Sequence, residues 1–398
     1  MNRVLFTALI TSCMASPLTA QSLDVGIAHT GVSLGNSDRW NGIRINLRDR
    51  DVVSVNGVNV TLWKPAENPD FTMNGIAFGL WGPRARDING LSLGIGGTIA
   101  GRSINGIALS GLGIVSNGAI RGITVAGLGV VGQGTVTGVS LAGLGVVSQD
   151  DMRGLNVAGF GVVGGGLFGI NVAGLGLVAQ RSMAGLNIGG LGAVSQGGMY
   201  GINVAGLGVV AEQDMIGINF AGLGTVAQGD MRWINLAGLG LVANGDIAGL
   251  SVAGLAVVGT RRVRGISVGG LAVVGVQGHQ GIAIGTAGVV ADEGALQGAA
   301  FSLGKIDAGQ AHGVFFGGYR VRSPDIAGIA TSVLMTRTVD MAGLSIAAWN
   351  DVRGVQRGLT IGLFNRATEL HGIQIGILNH AGNNNGLFRW LPLVNAHF

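Results

Sequence analysis

A sixteen-residue repeat runs through the middle of this chain with little change, and it restricts the fold more than any other property of the sequence. GINVAGLGVVAEQDMI begins at Gly201, GINFAGLGTVAQGDMR at Gly217, WINLAGLGLVANGDIA at Trp233 and GLSVAGLAVVGTRRVR at Gly249. Repeat starts fall at Gly75, Gly90, Gly106, Gly122, Gly138, Gly154, Gly169, Gly185, Gly201, Gly217, Trp233, Gly249, Gly265 and Gly281, most of them sixteen residues apart. Repetition at such a period marks a body whose small units bury a shared core by stacking on their neighbours. Length divided by a typical domain size is therefore a poor guide to domain number.

The positions within the repeat have distinct characters. Counting the start as position one, position two is Ile, Leu or Val (Ile123, Leu155, Ile202, Ile234) and position four is similar (Val125, Val172, Val204, Leu236). Positions five and six are small, position seven is mostly Leu (Leu128, Leu175, Leu207, Leu239), and position ten is Val in every row from Val131 to Val274. Position fifteen is apolar again, as in Met152, Met183, Met199, Met215, Met231 and Ile247. Glycine supplies 77 of 398 residues and recurs several times per repeat, and each interior glycine costs a helix up to ~1 kcal/mol. Helices are thereby excluded. Positions two and four read as a period-two strand, the small pair as a corner, positions seven to ten as a second short strand and the polar residues after them as a turn. No proline falls between residues 84 and 323, as a long hydrogen-bonded ladder requires. The glycines do not fall at every third position, and the aliphatic content is high, so neither collagen nor a disordered chain fits.

Position three decides how the repeats stack. It reads Thr124, Ser140, then Asn156, Asn171, Asn187, Asn203, Asn219 and Asn235, then Ser251 and Ser267. In a parallel β-solenoid these side chains would lie ~4.8 Å apart and their amides could bond to one another along the stack. In an antiparallel barrel equal positions would not generally face each other. The expected fold is all-β, a parallel β-solenoid of about sixteen-residue rungs presenting a flat Gly-, Ala- and Asn-rich surface. The alternative is a transmembrane β-barrel, which glycine-rich apolar segments and a terminal Phe398 would suit. Apolar residues at its would-be interior positions and a shortage of tyrosine for an aromatic girdle count against it.

The ends differ from the middle. Arg3, the apolar run Val4 to Ser12 and Leu18-Thr19-Ala20 read as a signal peptide over residues 1–20, with cleavage before Gln21. The only cysteine, Cys13, lies within it and offers lipoprotein processing as the alternative, so no thiol is left for an internal disulfide. Residues 21–74 read as an irregular N-terminal cap region, residues 75–297 as the core repeats, and residues 298–398 as shorter fourteen- to fifteen-residue repeats with a C-terminal cap. Aromatics gather in this last region: Phe315, Phe316, Tyr319, Trp349 and Phe364. There the chain reads GLTIGLFN from Gly358 and GIQIGILN from Gly372. This resembles the surface-repeat family first named from Leptospira and widespread in Gram-negative bacteria, whose repeats run Asn-Gly-Leu-Gln-Ile-Gly-Leu-x-Asn. The resemblance is close over residues 328–398 and looser over Gly75 to Gly281. It implies an exported, surface-associated protein and carries no catalytic residues to transfer.

Several motifs imitate chemistry without supporting it. Gly127-Leu-Gly129-Val-Val-Gly132 and Gly159-Phe-Gly161-Val-Val-Gly164 match a dinucleotide fingerprint but are in phase with the repeat and precede no helix. Gly265-Ile-Ser267-Val-Gly269 and Gly90-Leu-Ser92-Leu-Gly94 match a nucleophile elbow, yet their serines stand where other rows carry asparagine. Asp214, Asp230 and Asp246 recur at position fourteen, with Asp151 in the same column. Stacked carboxylates repel unless a cation such as calcium lies between them; the preferred reading is solvated turn residues bonded to the backbone. The histidines, at 29, 279, 312, 371, 380 and 397, share no metal spacing and are expected at surface or cap positions. The expectation is a non-enzyme without a cofactor, at the cell surface or outer membrane of a Gram-negative bacterium, with a structural or adhesive role and an unnamed envelope partner. A net charge of +4 with no basic run gives no nucleic-acid surface. On the barrel alternative the protein would be a pore or anchor.

Overall fold

The computed structural model describes residues 22–398. The expected signal segment and Cys13 lie outside the described residues. The chain divides into two compact units, Met1–Gly174 and Leu175–Phe398, and each is a parallel β-solenoid. In the second unit a typical rung has a seven-residue strand, Met199–Ala205, a corner at Gly206 and Leu207, and a four-residue strand, Gly208–Ala211. Each strand pairs in parallel with its equivalent one repeat later: Met199 with Met215, Asn203 with Asn219, Val209 with Thr225. The first unit repeats the pattern, with Val136–Ala142 on Met152–Ala158 and Gly129–Gly132 on Gly145–Ser148. Parallel pairing of equal positions overturns the barrel alternative, whose neighbouring strands would run antiparallel. The only helix among the described residues is the short Gly386–Arg389, and none is long and apolar enough to cross a membrane.

The glycine that opens each rung bends the strand and lets the next rung approach. Gly201 has φ 100° and Gly217 φ 135°, a region open to glycine at no steric cost. A Cβ at either would run into the carbonyl oxygen of the rung before it. Trp233 is the one exception in its column and adopts φ 85°.

Regular stacking starts well before Gly75. Arg39–Asn46, Ser54–Thr61 and Thr72–Gly79 are already parallel and in register, Gly42 on Gly57 on Gly75. The expected irregular region thus already carries stacked rungs from Thr30 on. The capping element is Ser22–Ile27 alone, antiparallel on Thr30–Gly35. At the other end Trp390–His397 lies antiparallel on Trp349–Ala381. Each terminal strand occupies an edge that would otherwise invite pairing with another chain. The charge cluster at residues 48–51 includes Asp49, which is buried with Arg44, Asn59 and Thr61 in a bonded polar group inside the first rungs.

The sides of the strand are the reverse of what the apolar pattern suggests. Met199, Asn203, Ala205, Val209 and Ala211 are fully buried, whereas Tyr200, Ile202 and Leu207 are exposed. The expected flat Asn-rich surface is therefore overturned: asparagine faces inward, and Ile, Val and Leu cover the outside. Because side chains alternate, one parity of a strand must enter the core. The inward parity carries Met199 and Val209 as well as Asn203 and Ala205, so its large apolar residues and its bonded asparagines enter the core together, while Ile202 and Leu207 fall on the outward parity.

Candidate binding face

The asparagine column is a hydrogen-bonded ladder inside the core. In the second unit Asn187 donates to Asn203, Asn203 to Asn219 and Asn219 to Asn235, each at 2.9 Å. In the first unit Asn156 donates to Asn171, also at 2.9 Å. Every one of these amides is at 0% exposure, so their donors and acceptors must be met within the stack. The ladder stops at Asn235, whose Nδ2 has no acceptor because the next column residue is Ser251, and the Ser251 hydroxyl is likewise without a partner.

The aspartate column is occupied by backbone donors. Asp214 Oδ1 accepts the N–H of Asp230 at 2.8 Å, Asp230 Oδ1 that of Asp246 at 2.8 Å, and Asp246 Oδ1 that of Arg262 at 3.1 Å. Arg232 donates to Asp230 Oδ2 at 2.8 Å, and Arg264 pairs with Asp246 at 3.4 Å. Burial alone would raise the Asp230 carboxyl, but the Arg232 hydrogen bond, the Asp246 N–H and the charges of Arg232 and Arg261 outweigh it and hold it below the ordinary range. Among the described residues no group of three or more His, Cys, Asp or Glu is placed to hold a metal ion. The glycines that imitate a dinucleotide motif, Gly127 to Gly132, form a corner and a short strand, and Ser92 and Ser267 point into the core. Contrary to expectation, one histidine, His279, is buried at 1% exposure in the column filled elsewhere by Met, Ile, Val and Leu.

One outer face of the second unit changes character along the stack. In the strands Gly208–Ala211, Gly224–Ala227 and Gly240–Ala243 the outward residues are only glycine and valine: Gly208 and Val210, Gly224 and Val226, Gly240 and Val242. Following the same columns by register, the later rungs carry Lys305 and Asp307, Arg320 and Arg322, Met335 and Arg337, then Trp349 and Asp351. Asp307 holds Lys305 at 3.2 Å and Arg320 at 3.1 Å, while Asp351 holds Arg337 at 3.3 Å and Arg353 at 3.2 Å. Both carboxylates are buried beneath partly exposed cations. Arg322 and Arg366 are exposed and have no ion pair among the described residues.

An aromatic row completes this face. The Phe364 ring is 5.9 Å from Trp349, Trp390 is 6.0 Å from Phe364 and nearly parallel to it, and His380 is 4.4 Å from Trp390. Burial first, then the positive charges of Arg366 and Arg389, push the His380 imidazole down from its ordinary value. Trp349 and Trp390 are exposed and Phe364 is half-buried; exposed rings offer apolar surface, and guanidinium groups offer paired donors for carboxylate, sulfate or phosphate.

No protein-family model, curated protein or solved structure matches this chain. The aromatics of this region stand out in the sequence, although Phe315 proves buried and Phe316 packs on Phe301 at 5.9 Å. The basic column is not singled out by the sequence pattern of the core repeats. Its signal was present in the fifteen-residue spacing of Asp307, Arg322 and Arg337, once the valine column is followed past Val290.

Proposed function

We propose that this is an exported, non-enzymatic repeat protein of the Gram-negative cell surface, with a structural or adhesive role, and that it holds an anionic glycan on the face from Lys305 to Trp390. The resemblance of its last repeats to the Leptospira-type surface family supports the location. The observation that carries the binding reading is the replacement, in one pair of columns, of glycine and valine by cations and exposed aromatic rings. Lys305, Arg320, Arg337 and Arg353 share the two carboxylates Asp307 and Asp351, and Arg322 and Arg366 add unpaired charge, so this face is net positive. The carboxylates orient some of the guanidinium groups, while Arg322 and Arg366 remain open to a ligand. Aromatic rings in a row suit the apolar faces of successive sugars, and the arginines suit their acid groups.

The test is binding of the full chain to alginate, a polyuronate, with neutral dextran and single-stranded poly-dT as comparators. Alginate is expected to bind in a salt-sensitive manner and dextran not to bind. Arg322→Gln with Arg366→Gln, or Trp349→Ala, is expected to weaken alginate at least tenfold. Equal affinity for dextran, or no loss in these variants, overturns the reading; tighter binding of poly-dT would replace the glycan with a nucleic acid. Location is tested by fractionating a Gram-negative host that expresses the full chain, and retention in the cytoplasm would overturn the surface role.

A further inference from the structure

In the first unit, the corner column at position seven carries Leu112, Leu128, Leu144 and Phe160, joined by backbone hydrogen bonds of 2.7 to 2.8 Å. Toward the N-terminus this row of large side chains is interrupted once. Gly96 stands between Leu112, which donates to its carbonyl, and Trp81. The missing side chain opens a cavity of about 270 Å³ walled by Trp81, Leu112, Ile99 and Val115. Its floor is Gly97 and Gly113, a strip one residue wide between two apolar columns.

Two features show what this cavity could take. First, the backbone does not require glycine at 113. Its φ lies outside the left-handed region, and a Cβ there would meet only the Gly129 carbonyl oxygen at 3.4 Å, an ordinary contact. The same column carries Ala256 and Ala272 in the second unit. Glycine is not forced by strain here and recurs along the column at Gly129 and Gly145, so the room at this rung comes from the missing side chain at Gly96. Second, the charged groups lining the cavity are cations only. Lys64 is exposed and has no ion pair among the described residues, and Arg84 sits at the rim, paired with the exposed Glu67, which does not line the cavity. Apolar walls beside one unpaired cation, Lys64, complement an anion carrying an apolar tail.

We propose that this cavity binds a single-chain anionic amphiphile of the fatty-acid class, with its unbranched tail on the Gly97–Gly113 floor against Trp81 and Leu112, and its acid group at Lys64. The site is separate from the glycan face and shares no residue with it. The apolar walls hold the tail, and Lys64 sets the polarity of the head.

The experiment is titration calorimetry of the delipidated full chain with decanoate, using decanol and decyltrimethylammonium as comparators. Decanoate is expected to bind saturably at one site below its micelle concentration. Gly113→Leu, which fills the floor, is expected to weaken it at least tenfold. Lys64→Gln is expected to weaken decanoate about fivefold and leave decanol unchanged. Trp81→Ala removes a side chain 59% exposed, so it spares the core and serves as a second wall variant should Gly113→Leu fail to fold. Decanoate affinity unchanged in the wall and floor variants, decyltrimethylammonium bound as tightly as decanoate, or no saturable binding would each overturn the proposal.

Discussion

His279 should make the second unit acid-labile in a window that its carboxylates do not share. The ring sits between Val263 and Leu296 in its column, at 1% exposure, and neither ring nitrogen has a hydrogen-bond partner. Burial pushes its pKa down to about 4, against ~6.5 in an unfolded chain. Protons therefore bind the unfolded state more tightly. Above about pH 6.5 both states are neutral and the full stability is present. As pH falls below that value the unfolded chain is protonated first and stability is lost, until the folded ring also titrates near pH 4. At ~1.36 kcal/mol per pKa unit the loss is about 2 kcal/mol at pH 5 and about 3 kcal/mol below pH 4. Aspartates such as Asp230, with carboxyls lowered by their partners, also lose stability in acid, but only from about pH 4 downward. The assay is urea unfolding at pH 7.5 and pH 5.0 for the natural chain and for His279→Met, the side chain that fills this column at Met199, Met215 and Met231. The variant is expected to lose about 2 kcal/mol less between the two pH values, and to be more stable at pH 7.5 because two orphaned ring nitrogens are gone. The same pH dependence in both proteins would refute the reasoning.

Three further substitutions test the stack itself. Trp233 holds φ 85° in a column that otherwise carries glycine; Trp233→Gly should raise stability by about 1–2 kcal/mol, read as a higher denaturant midpoint, and a lower midpoint would count against strain there. Ser251→Asn should extend the amide ladder, supply the acceptor that Asn235 Nδ2 lacks, and add about 1 kcal/mol; loss of stability would mean the rung at 251 has no room for an amide. Asn219→Asp removes the donor that reaches Asn235 at 2.9 Å and buries a charge, so at pH 7 it should cost roughly 3 kcal/mol or more. That deficit should shrink in acid, where the protonated carboxyl can donate again, and a pH-independent deficit would argue that packing rather than hydrogen bonding is at stake.

The spacing alone determined which residues meet. Sixteen residues separate Asn203 from Asn219 and Met199 from Met215, and the structure pairs them in that register because a parallel stack of equal repeats satisfies every backbone group in the same way at each step. The strands, corners and opening glycines were legible for the same reason. Which side of each strand turns inward was not. Ile202 and Val204 on one parity compete with Asn203 and Ala205 on the other, and hydrophobicity favours the wrong answer. Closure of the rung decides it, because the parity that carries Met199 and Val209 packs against the facing strand and its asparagines bond to one another along the stack. The burial of His279, the extension of the stack back to Thr30 and the basic row beside Trp349 follow from the same closure. A side chain's column is written in the sequence; whether that column faces solvent or core is settled only when the rung closes and one parity packs against the facing strand.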